Sequence, residues 1–364
     1  MLGAPLFISE ATGRHGSHQY HPDYVPALHH QWHRHDSGAS HASLSAMHPR
    51  WEERDRKLAE VDPLMVPKSC RLNLYRASLD EPPAVPKLCA TRVTIEFCLD
   101  CMRILFIGDI FGRPGRTIVK DRLGEIVREQ GVDLIIANGE NAAAGFGITP
   151  ALAEELFELN IDVITTGNHI WDKREIVDYF QMVEGNGHGL ARRVLRPANF
   201  PADMPGSGLY EGMKGKVPYA VINLQGRVFM ASNDDPFRVA DQLLQKINAK
   251  VIVVDMHAEA TSEKISLGWY LDGRVTAVVG THTHVPTADE RVLPSGTAYI
   301  TDVGMSGPYD GVIGVKKELV VGKFLNGMPV RFEPATGDVR LSAVVIDCDV
   351  TTGKAQKIER LMVT

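Results

Sequence analysis

From Met102 onward, short apolar runs alternate with segments whose apolar residues have helical spacing. The first pair consists of "RILFIGD" and "GRTIVKDRLGEIVREQG", which a glycine closes. The order recurs in "VDLIIANGEN" before "TPALAEELFEL", where Thr149 is the expected N-cap and Pro150 lies in the first turn. It recurs again in "IDVITTGNH" before "DKREIVDYF". This alternation predicts an α/β fold in which helices cover a mixed sheet.

The second half of the chain continues this pattern and ends in antiparallel strands. We interpret "YAVINLQGRVFMAS" as a hairpin, followed by the helix "DPFRVADQLLQKIN" and the strand "KVIVVDMH". Next come a helix around "SEKISLGWYL" and the strand "RVTAVVGTHTH". The tail is predicted to be antiparallel, with turns at "ATGD" and "TTGK". We find no internal repeat, which excludes a solenoid.

A change in composition at Met102 predicts a domain boundary. Residues 1–101 are rich in His, Pro, Ser and charge, with little apolar periodicity. Such a stretch cannot bury enough apolar surface to offset chain entropy, so we expect it to be disordered. Because "MRILFIGDIFG" reads like a natural protein start, a misassigned upstream extension is the other interpretation. The fold is therefore assigned to residues 102–364.

Charge and cysteine content exclude several classes of protein. A formal net charge of −6 argues against a surface for bulk nucleic-acid binding. No run of 18 apolar residues is present, so no membrane span is expected, and a cytoplasmic location is the default. The pair "CLDC" (Cys98 and Cys101) lacks a second half at zinc-finger spacing, and we expect neither a zinc finger nor disulfides.

Polar side chains follow five of the predicted strands at the point where each strand ends. They are Asp109, Glu140, Asn141, Asn168, His169, His257, His282 and His284. Ligands of open α/β sheets bind beyond the carboxyl ends of the strands, so we expect these eight groups at one edge of the sheet. Each alone is more often a turn, cap or hydrogen-bonding residue. However, four of the five histidines after Met102 lie at these ends, and only His188 lies in a loop.

The residue types predict a metal site for phosphoester hydrolysis. Carboxylates, amides and imidazoles without thiolate suit Fe, Mn, Zn or Co better than Ca or Mg. Eight groups exceed the needs of one ion, whereas two ions about 3.5–4 Å apart, bridged by a carboxylate and a hydroxide, would use them all. Such a pair holds phosphoryl oxygens and generates hydroxide at neutral pH.

Eight motifs in order resemble the YmdB-like branch of the calcineurin-like metallophosphoesterases. They are "GDIFGRPGR", "NGENAAAGFGIT", "TTGNHIWDKRE", "LRPANFP", "DDPFRVADQLL", "DMHAEATSEK", "GTHTHVPTADERVLP" and "TDVGMSGPYDGVIG". The resemblance runs from Met102 to about the end of the chain. It implies that residues 102–364 are a catalytic domain with a four-layer α/β/β/α sandwich. It also implies a dinuclear metal centre and phosphodiesterase activity on small substrates such as 2′,3′-cyclic nucleotides.

The resemblance also implies a role for each residue of the site. The ligands of the first metal would be Asp109, Asn141 and His284. Those of the second would be Asn168, His257 and His282. Glu140 would bridge both ions, a bridging hydroxide would attack phosphorus, and His169 would protonate the leaving oxygen. The two histidines of "HTH" would therefore serve different ions.

Two positions depart from the wider superfamily but agree with the YmdB-like branch. Phe111 replaces the histidine of the usual Asp-x-His motif, and Glu140 takes a bridging position that is usually Asp. With fewer nitrogen ligands on the first metal, iron is the favoured ion, and manganese and zinc are alternatives.

Some interpretations stay open at this stage. A regulatory protein that binds a nucleotide or a partner, with weak incidental hydrolysis, is one alternative, and a phosphomonoesterase is another. A homo-oligomer is also compatible with the sequence. Arg196 and Asn199 either line the pocket or hold a loop, and Asp302 either orients a ligating histidine or caps a turn.

Overall fold

A computed structural model of the protein describes residues 101–184 and 189–364. Predictions made for residues 1–100, including disorder and the role of Cys98, lie outside these residues, as does His188. The first strand begins at Cys101, one residue before the predicted boundary. No helix in the part that the structure describes is long and apolar enough to cross a membrane.

The described residues contain fourteen strands and six α-helices. The strands are β1 (Cys101–Ile107), β2 (Asp109–Ile110), β3 (Leu134–Asn138), β4 (Val163–Thr165), β5 (Val194–Leu195), β6 (Leu209–Lys214), β7 (Val217–Gln225), β8 (Val251–His257), β9 (Ala277–Thr281), β10 (Arg291–Val292), β11 (Ala298–Ile300), β12 (Met305–Pro308), β13 (Val339–Asp349) and β14 (Ala355–Val363). The helices are α1 (Gly112–Gln130), α2 (Pro150–Glu158), α3 (Glu175–Glu184), α4 (Pro236–Leu244), α5 (Thr261–Tyr270) and α6 (Lys317–Asn326).

The strands form two sheets rather than one. The first has the order β2-β12-β13-β1-β3-β4-β5, with β14 also paired to β13. Its members β1, β3, β4 and β5 run parallel, whereas β13 runs antiparallel to β1. The second sheet has the order β10-β11-β9-β8-β7-β6, and β7, β8, β9 and β11 run parallel in it.

Buried apolar side chains divide the fold into four layers. Strand β1 alternates, so that Ile104 and Phe106 pack against the second sheet while Leu105 and Ile107 pack with α1, α2 and α3. On the far side of the second sheet, Val254 and its neighbours pack with α4 and α5. The layer order is therefore α/β/β/α, and the predicted fold is confirmed.

Local signals set the ends of several helices as predicted. The hydroxyl of Thr149 accepts a hydrogen bond from Leu152 N at the start of α2, and Pro150 follows it. Helix α1 ends at Gly131, whose φ of 64° is the left-handed conformation that glycine favours. The "TTGK" turn is also confirmed, because it joins the antiparallel pair β13 and β14.

The predicted hairpin within "YAVINLQGRVFMAS" is wrong. Strand β7 ends at Gln225, and the next residue, Gly226, donates its N–H to the carbonyl oxygen of His257. The carboxylate of Glu263 accepts the N–H groups of Arg227 and Val228, so this backbone finds partners outside a sheet. Strand β7 instead pairs antiparallel with β6 and parallel with β8.

Candidate active site

The polar strand ends meet between the two sheets, not at one edge of a single sheet as predicted. Strands β1, β3 and β4 belong to the first sheet, and β8 and β9 belong to the second. Glu140, which follows β3, places Oε2 2.8 Å from Nε2 of His257 at the end of β8. Side chains from the predicted strand ends therefore do come together, but they do so because the two sheets face each other.

Four of the predicted residues form one group, the His257 cluster, which consists of Glu140, Asn168, His257 and His282. Nε2 of His257 lies 3.1 Å from Oδ1 of Asn168 and 3.0 Å from Nδ1 of His282. Ligand atoms of Glu140, His257 and His282 all lie within 4.8 Å of one another. This spacing is that of side chains able to surround one metal ion.

The outer nitrogens of the two imidazoles show which atoms point inward. The hydroxyl of Thr281 donates to Asp255, so its oxygen accepts the Nδ1–H of His257 at 2.9 Å. Nε2 of His282 lies 3.1 Å from a carboxylate oxygen of Glu259, which accepts its proton. Each imidazole is thus oriented by an acceptor behind it, as in metal-ligating histidines.

Three inward atoms of the His257 cluster carry lone pairs, namely Oδ1 of Asn168, Nδ1 of His282 and Oε2 of Glu140, whereas His257 favours a positive charge because burial lowers its pKa but Glu140 raises it overall. Burial, and then the charge of His257, lower the pKa of His282 to about 3, so its imidazole is neutral. Within the described residues, the buried Oε2 of Glu140 receives no hydrogen bond of acceptable geometry, although His257 is close. Electron-pair donors that face one another in a buried site need a cation among them, so this cluster fits a metal.

A second group, the His284 cluster, consists of Asp109, Asn141 and His284, all buried. Nε2 of His284 lies 3.6 Å from Oδ1 of Asp109 and 3.0 Å from Nδ2 of Asn141. Its Nδ1 donates to the carbonyl oxygen of Ile313 at 3.0 Å, so this imidazole is also oriented from behind. Burial lowers the pKa of His284, but Asp109 raises it to about 9 overall. The buried carboxylate therefore favours a positive charge at this position.

The backbone of the "HTH" segment joins the two clusters. The side chain of His282 lies in the His257 cluster, whereas its backbone N–H donates to Oδ2 of Asp109 in the His284 cluster at 3.2 Å. His282 and His284 have φ angles of 101° and 64°. These values lie in the left-handed region, which non-glycine residues seldom adopt. The segment is bent so that its two imidazoles face different groups.

His169 lies beside the His257 cluster and is partly open to solvent. Its backbone N–H donates to Oε1 of Glu140, and its Nδ1 lies 2.9 Å from a carboxylate oxygen of Asp172. The edge of the Phe146 ring packs on the imidazole with centroids 5.2 Å apart. Its side chain keeps 31% of its surface exposed, so Nε2 can meet a bound molecule.

The sequence model of the YmdB-like protein family matches residues 105–361. This chain belongs to the YmdB-like family. Among its relatives is a protein of Bacillus subtilis strain 168 named 2′,3′-cyclic-nucleotide 2′-phosphodiesterase. The two are 51% identical over 265 residues, which are 72% of this chain and 97% of the relative.

Two solved structures resemble this YmdB-like chain over the same region. One is a hypothetical protein of Thermus thermophilus, with 41% identity and a TM-score of 0.67, covering 72% of this chain and 99% of that one. The other is described as a novel phosphatase of Mycoplasma pneumoniae, with 34% identity and a TM-score of 0.67, covering 72% and 93%. Both support the fold described above.

Two candidate pocket residues instead hold loops of this YmdB-like chain. The buried guanidinium of Arg196 donates to the carbonyl oxygens of Pro197, Met204 and Pro205. The side-chain amide of Asn199 is also buried; it donates to two backbone carbonyl oxygens and accepts the N–H of Gln225. Their polar groups are satisfied by backbone, as the loop-holding interpretation expects.

The structure gives roles to other residues of the site for which the sequence analysis predicted none. Phe111 packs its ring edge against His284 with centroids 5.5 Å apart, so an apolar ring lies against this imidazole. Glu259 and Thr281 orient His282 and His257; both lie in quoted motifs, but no role was predicted for either. Gly167 has a clear reason to be glycine, because a side chain there would collide with the imidazole of His257.

Proposed function

We propose that this chain is a metal-dependent phosphodiesterase that hydrolyses 2′,3′-cyclic nucleoside monophosphates. The observation that carries the proposal is the pair of adjacent buried clusters, whose imidazoles are oriented from behind and aimed at carboxylate and amide groups. Two clusters correspond to two ions, which is the arrangement used in phosphoester hydrolysis. The name of the Bacillus subtilis relative supports the substrate class and the 2′ bond.

The proposed ligands of the two ions follow the clusters. Asp109, Asn141 and His284 would hold one ion, and Asn168, His257 and His282 would hold the other. Glu140 would contact both, because its Oε2 faces His257 and its carboxyl is close enough to Asp109 of the other cluster for their charges to interact. When bound, such ions polarise phosphoryl oxygens and lower the pKa of water. The nitrogen and oxygen donors suit iron best in our proposal, with manganese or zinc as alternatives.

His169 is the proposed proton donor to the leaving ribose oxygen. Because Asp172 accepts from Nδ1, Nε2 is the nitrogen that remains to carry a proton toward the substrate. The hydrogen bond from its backbone N–H to Glu140 ties this residue to the metal-binding carboxylate.

A substrate panel tests the proposed function directly. Protein reconstituted separately with Fe, Mn and Zn is assayed with 2′,3′-cyclic AMP, bis(p-nitrophenyl) phosphate and p-nitrophenyl phosphate. We expect turnover of both diesters, with 3′-AMP as the product from the cyclic nucleotide. Turnover of the monoester alone would instead identify a phosphomonoesterase. Full metal occupancy without turnover of any substrate would contradict the proposal.

Replacing His169 by alanine is expected to lower kcat for 2′,3′-cyclic AMP by about 10²–10⁴-fold, the usual contribution of a general acid. Metal content, measured by elemental analysis, should stay close to that of the wild type. Bis(p-nitrophenyl) phosphate is the control, since its leaving group departs without a proton and its hydrolysis should fall much less. Equal losses on both substrates, or loss of metal, would contradict the proton-donor role.

Residues 102–364 are proposed to form the complete catalytic unit. A protein that starts at Met102 lacks only the first residue of β1, and we expect its kcat/KM to stay within about twofold of the full chain. A protein that starts at Phe106 is the control. It lacks Met102 and Ile104, which are buried between the sheets, and should not give a cooperative melting transition. Loss of metal binding in the first truncation would contradict the boundary.

A further inference from the structure

The left-handed backbone of the "HTH" segment needs a structural cause outside the segment itself. His282 and His284 have φ angles of 101° and 64°, and neither is a glycine. Such conformations are unfavourable for residues with a Cβ and persist only where the surroundings impose them. Thr283 lies between the two strained residues, so contacts of Thr283 are the first place to look for that cause.

Thr283 is held by a single carboxylate oxygen. Oδ2 of Asp302 accepts the backbone N–H of Thr283 at 3.1 Å and its hydroxyl at 2.7 Å. The other oxygen, Oδ1, accepts the N–H of Gly304 at 2.8 Å, so both oxygens are engaged. The carboxylate therefore fixes the centre of the segment through the backbone and the side chain at once.

The carboxylate is itself held in place by a buried lysine. Nζ of Lys264, on α5, donates to Oδ2 of Asp302 at 2.6 Å. The lysine side chain is fully buried, and that of Asp302 is 1% exposed. Charge-assisted hydrogen bonds of this kind are shorter and stronger than neutral ones. Three donors thus meet at one oxygen, two from Thr283 and one from Lys264.

The strand that leads into the segment leaves room for this lysine. A side chain at Gly280 would collide with the carbonyl oxygen of Thr301 and would place its Cβ 2.9 Å from Cδ of Lys264. Gly280 therefore lets the lysine stem pass close to β9 and reach Asp302. Position 280 is therefore a glycine for a structural reason: it makes room for a lysine from α5. This helix follows β8, the strand that ends at His257.

We propose that Lys264 and Asp302 are positioning residues that hold Thr283, and through it set the directions of the His282 and His284 imidazoles. The inference rests on the metal centre of the proposed function. A buried ion pair is weak support for stability as such, because well-packed apolar residues can often replace it. Apolar residues cannot, however, replace the carboxylate oxygen that accepts hydrogen bonds from the N–H and the hydroxyl of Thr283. Loss of that acceptor should therefore impair metal binding more than folding.

Three variants separate positioning from stability. Thr283→Val removes one donor to Asp302 and keeps the branched shape. The double variant Lys264→Met/Asp302→Leu removes both buried charges together, which avoids leaving one of them unpaired. Thr276→Val is the matched control. Thr276 is fully buried just before β9, more so than the half-buried Thr283, and its hydroxyl donates to Gly353 and accepts from Ile252 N, far along the strand from the histidines.

The full-length protein is titrated with Mn²⁺ by calorimetry, and melting is followed without metal. We expect about 10- to 100-fold weaker Mn²⁺ binding in Thr283→Val and in the double variant, the range seen when outer partners of metal ligands are lost. Thr276→Val should melt at a temperature as low as or lower than that of Thr283→Val but keep wild-type affinity. Wild-type affinity in the first two variants, or an equal loss in Thr276→Val, would overturn the positioning role.

A metal-free measurement keeps this test separate from that of the proposed function. Long-range proton–nitrogen NMR spectra of the ¹⁵N-histidine-labelled protein report the protonation pattern of each imidazole. We expect distinct, single-state patterns for His282 and His284 in the wild type and averaged patterns in Thr283→Val. Unchanged patterns would overturn the positioning role. Wild-type protein that binds no Mn²⁺ would count against the proposed metal centre, and the NMR comparison would still test the role of Lys264 and Asp302.

Discussion

Replacing Glu140 by glutamine is expected to lower kcat/KM for 2′,3′-cyclic AMP by at least about 10³-fold and to deplete bound metal. The loss corresponds to the several kcal/mol of charge stabilisation that metal ions supply in such sites. Glu140 is fully buried, and its Oε2 faces Nε2 of His257 at 2.8 Å. Glutamine keeps the shape but removes the negative charge, so the ions lose the only side chain proposed to contact both. Elemental analysis and steady-state kinetics measure the two effects.

Glu263→Gln is the matched control for Glu140→Gln. Glu263 is also a buried carboxylate, but it accepts the backbone N–H groups of Arg227 and Val228 and contacts neither cluster in the described structure. This control should lower the melting temperature and keep metal content and kcat/KM within about twofold of the wild type. Two bound ions in Glu140→Gln, with activity near that of the wild type, would show that Glu140 is not a metal ligand.

Replacing His282 or His284 by alanine is expected to remove different ions. His282 points Nδ1 at His257, whereas His284 points Nε2 at Asp109 and Asn141. Each alanine variant should therefore bind about one Mn²⁺ in place of two, and each should lose at least about 10³-fold in kcat/KM because the proposed hydrolysis uses both ions. Calorimetric stoichiometry and kinetics give these values.

The identity of the lost ion distinguishes the two variants. Anomalous scattering from crystals grown with Mn²⁺ should show the remaining ion beside Asp109 and Asn141 in His282→Ala. In His284→Ala it should lie beside His257 and Asn168. Depletion of the same position in both variants would contradict the division of the two histidines between the clusters. Val285→Ala, which changes an exposed neighbour of the segment, serves as a control that should bind both ions.

Local sequence signals were sufficient for most of the individual elements. Helix α2 is an example, because Thr149 and Pro150 define its start whatever the rest of the chain does. The predicted hairpin shows the limit of such signals. Whether "GRVFMAS" continues a strand was decided by Glu263 and His257, which provide acceptors for its backbone from other elements. Helix α6 was also not predicted, although Gly327 at its end has the left-handed conformation of a C-cap.

The sequence predicted side chains that lie together in the candidate site, but it did not predict the residues that orient them. Asn141 and His284 were proposed as ligands of one ion from their motifs, and their side chains meet at 3.0 Å although they lie 143 positions apart. Glu259 and Lys264 lie in the motif "DMHAEATSEK", but no role was predicted for either, because an acidic or basic residue in a helix or loop is most often solvated. Their roles depend on the contacts with His282 and Asp302, which only the folded chain creates.

The sequence by itself determined most of the elements and which chemical groups lie at the strand ends. It could do so because periodicity, capping and strand termination are local properties of the backbone. Only the tertiary structure decided that these ends belong to two facing sheets and that a buried Lys264–Asp302 pair holds Thr283 between two strained histidines. These features depend on distances and angles between residues far apart in the chain, which result from packing.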